Sequence, residues 1–570
     1  MTTTATEPEA RTGADGRTAD GRTADDRWYP ANPAQKGLWV LDRVEQLRRT
    51  TLIPTVVRFT GPVDVPRLTA AVQRVLDRHP ALRSRFRLDP EHKRVEFRTD
   101  LEPARAGVID AASEGWTAAE LPELIDVLCY APFDLAAEAP ARAELIVLGP
   151  EDVRLVLTVH HIVCDGWSHS LILREIEHVY RALARGVDPA LPVPPHPGEV
   201  TVGPDAEELA ERLPDVLERL AGAPLEVDVP FRRPVPAGAD PDLDGGTLAI
   251  DLDEELTGAL LDTAAAAGCT PFALGVALLT GTLAGIGPQR DFVIAFGWPG
   301  RDDPAIADVI GMFMNTTMLR VTLDGDRTTW GELLVGARIG AMEAFIDADV
   351  PLDAVTAGLK PERTVIWPPL SAVLVNLNES PRDLDLGDGV VGRLLPLDRL
   401  PMKYDLALFV RVDDTPRGRR LQLSVDFTRA LFDAADISRL LDAMRHNAAL
   451  IAHSPEEPVT AATAPTVDLD DPAARLELVR SLWREVLKLD SVGDDVSFFE
   501  AGGDSLLLVM LVERLVQTTG RALKTMDLFR AGTVRGHAEL LVTAGSPAGS
   551  GTAGSRDRLL GAARAAAAAR

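Results

Sequence analysis

Two segments of the chain combine residue types that can do chemistry. The first reads HHIVCDGWS at 160–168 and follows the strand-like run VRLVLTV at 153–159. Alternation along a strand sends His160 and His161 to opposite faces, so at most one of them faces a given active site. An imidazole with its ordinary pKa of about 6.5 is mostly neutral at cellular pH, and can deprotonate a nucleophile or hydrogen-bond it into position. Asp165 can hold a nearby cation or orient the loop, and Gly166 permits a tight turn that a Cβ would obstruct. A packed pair of histidines is the plain structural alternative. A metal centre is disfavoured, because adjacent strand histidines diverge and the nearby sequence offers no third ligand.

The second segment reads FFEAGGDSLLLVMLVERL at 498–515. Gly502 and Gly503 lead into Asp504 and Ser505, after which Leu506, Leu507, Val509, Met510, Val512 and Leu515 repeat with helical spacing. Ser505 is therefore expected at a helix entrance, exposed and near the positive end of the helix dipole. An N-capping serine is the alternative. The segment is not a GxSxG nucleophile elbow, because Leu507 stands where that motif has its second glycine.

These segments need a scaffold, and 570 residues suffice for several domains of about 150 each. A hydrophobic fraction of 46% and a charged fraction of 25% describe a globular chain and exclude global disorder. Asp plus Glu number 86 against 59 Lys plus Arg, a net charge of −27. That field repels phosphate backbones and anionic lipid, so neither nucleic acid nor a membrane is expected as a partner. Cys129, Cys164 and Cys269 are odd in number and widely spaced, which implies no disulfide framework and a reducing, cytoplasmic location. No signal-peptide pattern opens the chain. The uncharged run 263–289 reads as one buried core helix rather than a membrane span, since it holds Pro271 and a strand-like run at 292–296 follows.

Residues 1–26, with GRTAD repeated at 16–20 and 21–25, read as a disordered leader. An α/β region follows over 27–190, with a helix at 68–77, the strand at 153–159 and a helix at 168–185. A proline-rich connector at 187–204 marks the junction with a second α/β region over 191–455. Its strand candidates are 247–252, 292–296, 371–377, 405–412 and 421–427. A linker at 456–471, a compact helical unit at 472–544 and a flexible tail at 545–570 complete the organisation.

Five segments, in order, are similar to motifs of one family. NPAQKGLWVL at 32–41, RHPALRSRF at 78–86, HHIVCDGWS, VIGMFMNTTMLR at 309–320 and FFEAGGDSL at 498–506 together resemble a nonribosomal peptide synthetase fragment. The fragment is a condensation domain followed by a peptidyl carrier protein, and the resemblance covers nearly all of 28–544. It departs from the family at two places. The aromatic motif YxDYAVW is missing near 200–210, where the chain reads EVTVGPDAEELAERL. The later motif ERTVIWPPL at 362–370 keeps Arg363, Pro369 and Leu370 but has Thr364, Ile366 and Trp367 where the family has Asp, Ser and Arg.

The resemblance implies two chloramphenicol-acetyltransferase-like α/β halves forming a V around a tunnel, plus a small four-helix-bundle carrier domain. It implies that His161, the second motif histidine beside His160, positions or deprotonates the acceptor amine. It implies that Asp165 is structural, with Arg301 of FGWPGRDDP as its partner, and that Gly166 lies beside the substrate channel. Ser505 falls on the serine that carries 4′-phosphopantetheine. The implied function is amide formation between a carrier-tethered acyl or aminoacyl thioester and an amine, in secondary metabolism such as antibiotic biosynthesis. Such an enzyme must align two swinging arms and stabilise a developing oxyanion. Ester formation with a hydroxyl acceptor and a non-catalytic recruitment scaffold are the alternatives. Implied partners are a phosphopantetheinyl transferase, an upstream or free-standing donor carrier protein, and a separate adenylation domain or enzyme that loads the carrier.

Overall fold

The computed structural model describes residues 24–116, 120–233, 242–359, 372–378, 382–397, 399–459, 472–487, 489, 492–519, 521 and 523–543. They fall into two compact units, 1–461 and 462–570. Most of the leader, the whole of 362–370 and the tail from 544 lie outside the described residues.

Among the described residues, the first unit is built on two six-stranded sheets and a small three-stranded one. In the first sheet, strand Asp152–His160 lies between Leu52–Thr60 and Ala141–Gly149, antiparallel to both. Val153, Leu155, Val156, Leu157 and Val159 are all buried, because this central strand is covered on both faces and so reads as a continuous apolar run. Helices Val65–Arg78 and Gly166–Ala184 add their apolar stripes to the same core. The first of these begins earlier than its periodicity suggests, since Asp64 caps it by accepting from the Arg67 N–H at 2.9 Å.

The second sheet runs Asn315–Thr322, Asp291–Trp298, Val373–Leu377, Leu406–Thr415, Gly418–Thr428 and Gly245–Leu252 in spatial order. All five strands expected in this region are present, with ends shifted by at most three residues. The uncharged run 263–289 is not one helix. It is the end of Glu254–Ala266, a break, and the helix Pro271–Ile286, with the two axes bent by 100°. Gly268 takes the left-handed φ of +72° at the break, and Thr270 caps the second helix, whose first residue is Pro271. Phe272–Gly285 is buried throughout, so this is the core helix of the second half. Among the described residues no single helix is long and apolar enough to cross a membrane.

Three boundaries differ from the sequence reading. Strands Leu384–Gly387 and Val390–Leu395 extend the first half's sheet, with Val391 opposite Thr60 and Leu395 opposite Val56, although they lie far into the second region. Asp25, placed in the leader, accepts from the Thr99 hydroxyl at 2.6 Å. Val459, placed in the linker, is buried and donates its N–H to the Thr328 carbonyl at 2.7 Å.

The second unit holds four helices among the described residues: Pro472–Leu487, Ser505–Thr519, Thr525–Ala531 and Val534–Thr543. Trp483, Phe498, Leu511, Leu515, Leu528 and Leu541 form its core. The His537 ring ties three elements together: Nε2 donates to the Leu528 carbonyl at 2.8 Å, leaving Nδ1 to accept the Trp483 indole N–H at 3.1 Å.

Candidate functional site

The strand Asp152–His160 stops at His160, and His161 opens a single 3₁₀ turn, His161–Val163. The two rings therefore part at a strand-to-turn junction rather than by strand alternation alone. His160 is wholly buried. Its Nδ1 accepts the Ile162 N–H at 3.1 Å, which fixes the proton on Nε2. That N–H reaches the Thr51 hydroxyl at 3.0 Å and Asp42 Oδ1 at 3.4 Å, with the Phe133 ring edge-on. Both nitrogens of His160 are thus consumed by packing.

His161 has the complementary arrangement. Its Nδ1 lies 2.8 Å from the Cys164 carbonyl, which can only accept, so Nδ1 carries the proton and Nε2 keeps a lone pair. The ring is buried to 9% exposure. Burial, reinforced by the cation of Lys403, holds its pKa well below the ordinary imidazole value. His161 is therefore neutral at pH 7. Its neighbour Cys164 is buried with its thiol pKa pushed well up by burial and by Asp165, so it is an inert thiol.

Asp165 is the centre of a knot between the two halves. It caps helix Gly166–Ala184 by accepting the Ser168 N–H at 2.8 Å, and it accepts the Phe313 N–H at 3.1 Å. Arg301 Nη2 reaches its two oxygens at 3.1 and 3.3 Å and the Ser168 hydroxyl at 2.8 Å. Arg301 Nη1 donates to the carbonyls of Ile306 and Val309, and its guanidinium lies over the Phe313 ring. Both partners of the pair are nearly inaccessible, so the carboxylate has no room to touch a substrate. Gly166 departs from its sequence reading. It is the first residue of the helix, its φ is not left-handed, and a Cβ there would meet only open space. The turn does not require glycine, because Asp165 makes the turn by capping.

The first motif acts as a brace that sequence reasoning did not assign. Asn32 caps helix Pro33–Asp42 in a reciprocal box with Gln35. Asn32 Nδ2 also donates to the Met312 carbonyl at 2.8 Å, and Gln35 Nε2 to the Ile162 carbonyl at 3.0 Å. The Asn-x-x-Gln spacing ahead of an apolar run was the available signal. In the later motif, Asn315 Nδ2 donates to the Ala348 and Val350 carbonyls, so it anchors a loop. Among the described residues no cluster has the makings of a metal centre.

In the second unit Ser505 is the first residue of its helix, and the cap is Asp504, whose Oδ1 accepts the Leu507 N–H at 2.9 Å. The capping role is thus filled one residue before the serine. The preceding turn is exposed at Gly502, which has a φ of +97°. A Cβ on Gly503 would lie 2.3 Å from the Phe498 ring, so glycine is needed for the loop to close onto the core. An exposed glycine turn delivering a serine to a helix start fits a covalently attached phosphopantetheine arm.

A condensation-domain family model matches residues 26–468, and a phosphopantetheine-attachment-site model matches residues 477–541. The chain belongs to the condensation-domain family and continues into a phosphopantetheine carrier domain, as a nonribosomal-peptide-synthetase-type condensation–carrier didomain. It is 29% identical over 480 residues to the isonitrile lipopeptide synthase of Mycobacterium tuberculosis, covering 81% of this chain and 19% of that protein. The chain spans 5% to 39% of the length of the first curated relatives it matches. Among solved structures, the X-domain of teicoplanin biosynthesis, in complex with OxyB, aligns at TM-score 0.65 and 23% identity over 78% of this chain and 98% of that one. The first condensation domain of the calcium-dependent antibiotic synthetase aligns at TM-score 0.58 and 19% identity over 76% and 98%. The second match gives the carrier domain its phosphopantetheine attachment site.

Proposed function

We propose that this didomain forms an amide bond in secondary metabolism, in the cytoplasm. An acyl or aminoacyl thioester on a separate carrier protein is joined to the amine of an aminoacyl group held at Ser505. The observation that carries the reading is the free Nε2 lone pair of His161, on the one motif histidine that packing does not consume. Once attached to Ser505, 4′-phosphopantetheine supplies the thiol that holds a substrate as an activated thioester. His161 accepts a hydrogen bond from the acceptor nitrogen at Nε2 and aims its lone pair. As the C–N bond forms and the donor's C–S bond breaks, the nitrogen's proton passes through Nε2 to the departing thiolate. Asp165 and Arg301 hold the turn that positions His161, and a separate adenylation enzyme supplies the aminoacyl group.

The test is a reconstitution. Ser505 is loaded from an aminoacyl-coenzyme A by a phosphopantetheinyl transferase and mixed with a second carrier bearing an acyl thioester, and intact-protein mass is followed. Acyl mass gained on this chain with an aminoacyl but not a hydroxyacyl load supports amide formation. Gain only with the hydroxyacyl load assigns ester formation instead. Transfer to neither, across a panel of donors, overturns the reading in favour of recruitment.

A further inference from the structure

The first half's sheet sets three arginines in one row. Arg393 of strand Val390–Leu395 lies opposite Arg58, and Arg58 lies opposite Arg154 of strand Asp152–His160. Like charges facing each other across strands repel, so each calls for a carboxylate. Asp152 forks Arg58 at 2.8 and 3.0 Å, and Asp383 reaches Arg393 at 3.2 Å. Arg154 has no such partner among the described residues. Ile146 stands opposite it on its other side, and its Nε is buried without a hydrogen-bond partner.

Arg154 lines a cavity of about 110 Å³ enclosed by the sheet, the helix Leu121–Tyr130 and the stretch that leaves strand Val390–Leu395. Arg399 is the second cation in its wall, and Asp126 is the one carboxylate there among the described residues. Asp126 is already held by Arg49 at 3.3 Å and stands 3.9 Å from Arg399. One carboxylate thus serves two guanidinium groups, and Arg154 is left over. The Tyr130 hydroxyl is spent on the Arg399 carbonyl. Val56, Ile125, Leu395 and Leu397 give the cavity apolar walls.

We propose that this cavity binds a short-chain aliphatic carboxylate, its charged end on Arg154 and Arg399 and its alkyl chain against Ile125 and Leu395. A planar carboxylate meets a guanidinium in a two-bond fork, which supplies the partner that Arg154 lacks. The volume equals that of about four waters at about 30 Å³ each, room for a carboxylate and a few carbons. Phosphate fits the walls poorly, because a strongly hydrated anion loses water there and gains no apolar contact. No step of the condensation reading uses the cavity, so the two stand or fall separately. Asp398, next to Arg399 in sequence, lies outside the described residues and is the competing carboxylate to exclude.

The test is saturation-transfer nuclear magnetic resonance of the full chain with sodium butyrate, with 1-butanol as the uncharged analogue and inorganic phosphate as competitor. Transfer should saturate for butyrate and not for 1-butanol, and phosphate should displace butyrate no better than chloride does. Arg154→Met should weaken butyrate binding by about tenfold or more, since a charge-assisted fork is lost. Ile125→Trp should abolish binding by filling the cavity while both arginines remain. Without butyrate, Arg154→Met should melt no lower than wild type, because it removes a cation that has no counter-charge. Should Arg154→Met fail to fold, Ile125→Trp and Arg399→Gln carry the same comparison. Absence of saturable transfer, unchanged affinity in Arg154→Met or Ile125→Trp, or displacement by phosphate below the chloride concentration needed would overturn the proposal. Binding that arises only in Asp398→Asn would overturn it too, by assigning the cavity to the chain's own carboxylate.

Discussion

At the scale of single residues, the two adjacent histidines do opposite work. His160 spends both nitrogens on Ile162, Thr51 and Asp42 inside the core, whereas His161 spends one and keeps Nε2. His160→Ala should therefore lower stability by about 2–4 kcal/mol, because it strands buried donors and acceptors. His161→Ala should shift the melting temperature much less, and parallel thermal melts would show the contrast. Asp165→Ala should be costlier than either, by about 3–5 kcal/mol, since it leaves Arg301 buried without its counter-charge and uncaps a helix. A stable but inactive Asp165→Ala would move the aspartate into the chemistry. The motif made His161, Asp165 and Arg301 legible in the sequence. The tautomers were not legible, because they depend on Cys164 and Ile162 backbone groups whose directions only the folded turn sets. Asp42 and Asn32 were missed because each reaches the site from more than a hundred residues away.

At the scale of elements, each unit's candidate site is a helix start. Gly166 begins one, and open space lies where its Cβ would be, so Gly166→Ala should fold as well as wild type. Gly166→Leu should fold too but hinder substrate entry if the substrate channel runs past this point, which rates measured on short and long donors would show. Ser505 begins the other. Ser505→Ala should lose all phosphopantetheine addition by intact mass. Gly503→Ala should keep the serine yet slow addition, because its Cβ would press on Phe498. Strand and helix periodicity exposed these elements in the sequence. It did not expose the pair Leu384–Gly387 and Val390–Leu395 as part of the first sheet, since pairing across more than three hundred residues leaves no local pattern. It also joined two helices at 263–289, where a run of apolar residues hides the break at Gly268.

At the scale of the whole molecule, acid should weaken both units. Burial lowers the pKa of His160 and His161, and takes His169 in the first unit and His537 in the second to about 4. A histidine whose folded pKa is depressed contributes its full stability above the unfolded value of about 6.5, and loses it as pH falls toward the folded value. For His537 that amounts to about 3 kcal/mol between pH 6.5 and 4. Calorimetry of the full chain should show the carrier transition falling through this window, and His537→Gln should flatten that slope. The account as a whole is tested most directly by single-turnover condensation with His161→Ala, using the donor and acceptor that react on the wild type. With Ser505 loading and melting temperature retained, the rate should fall by about 10²–10⁴-fold if Nε2 acts as a base, and by less if it only orients the amine. A His161→Ala chain that condenses at the wild-type rate would contradict the claim that this ring serves the acceptor.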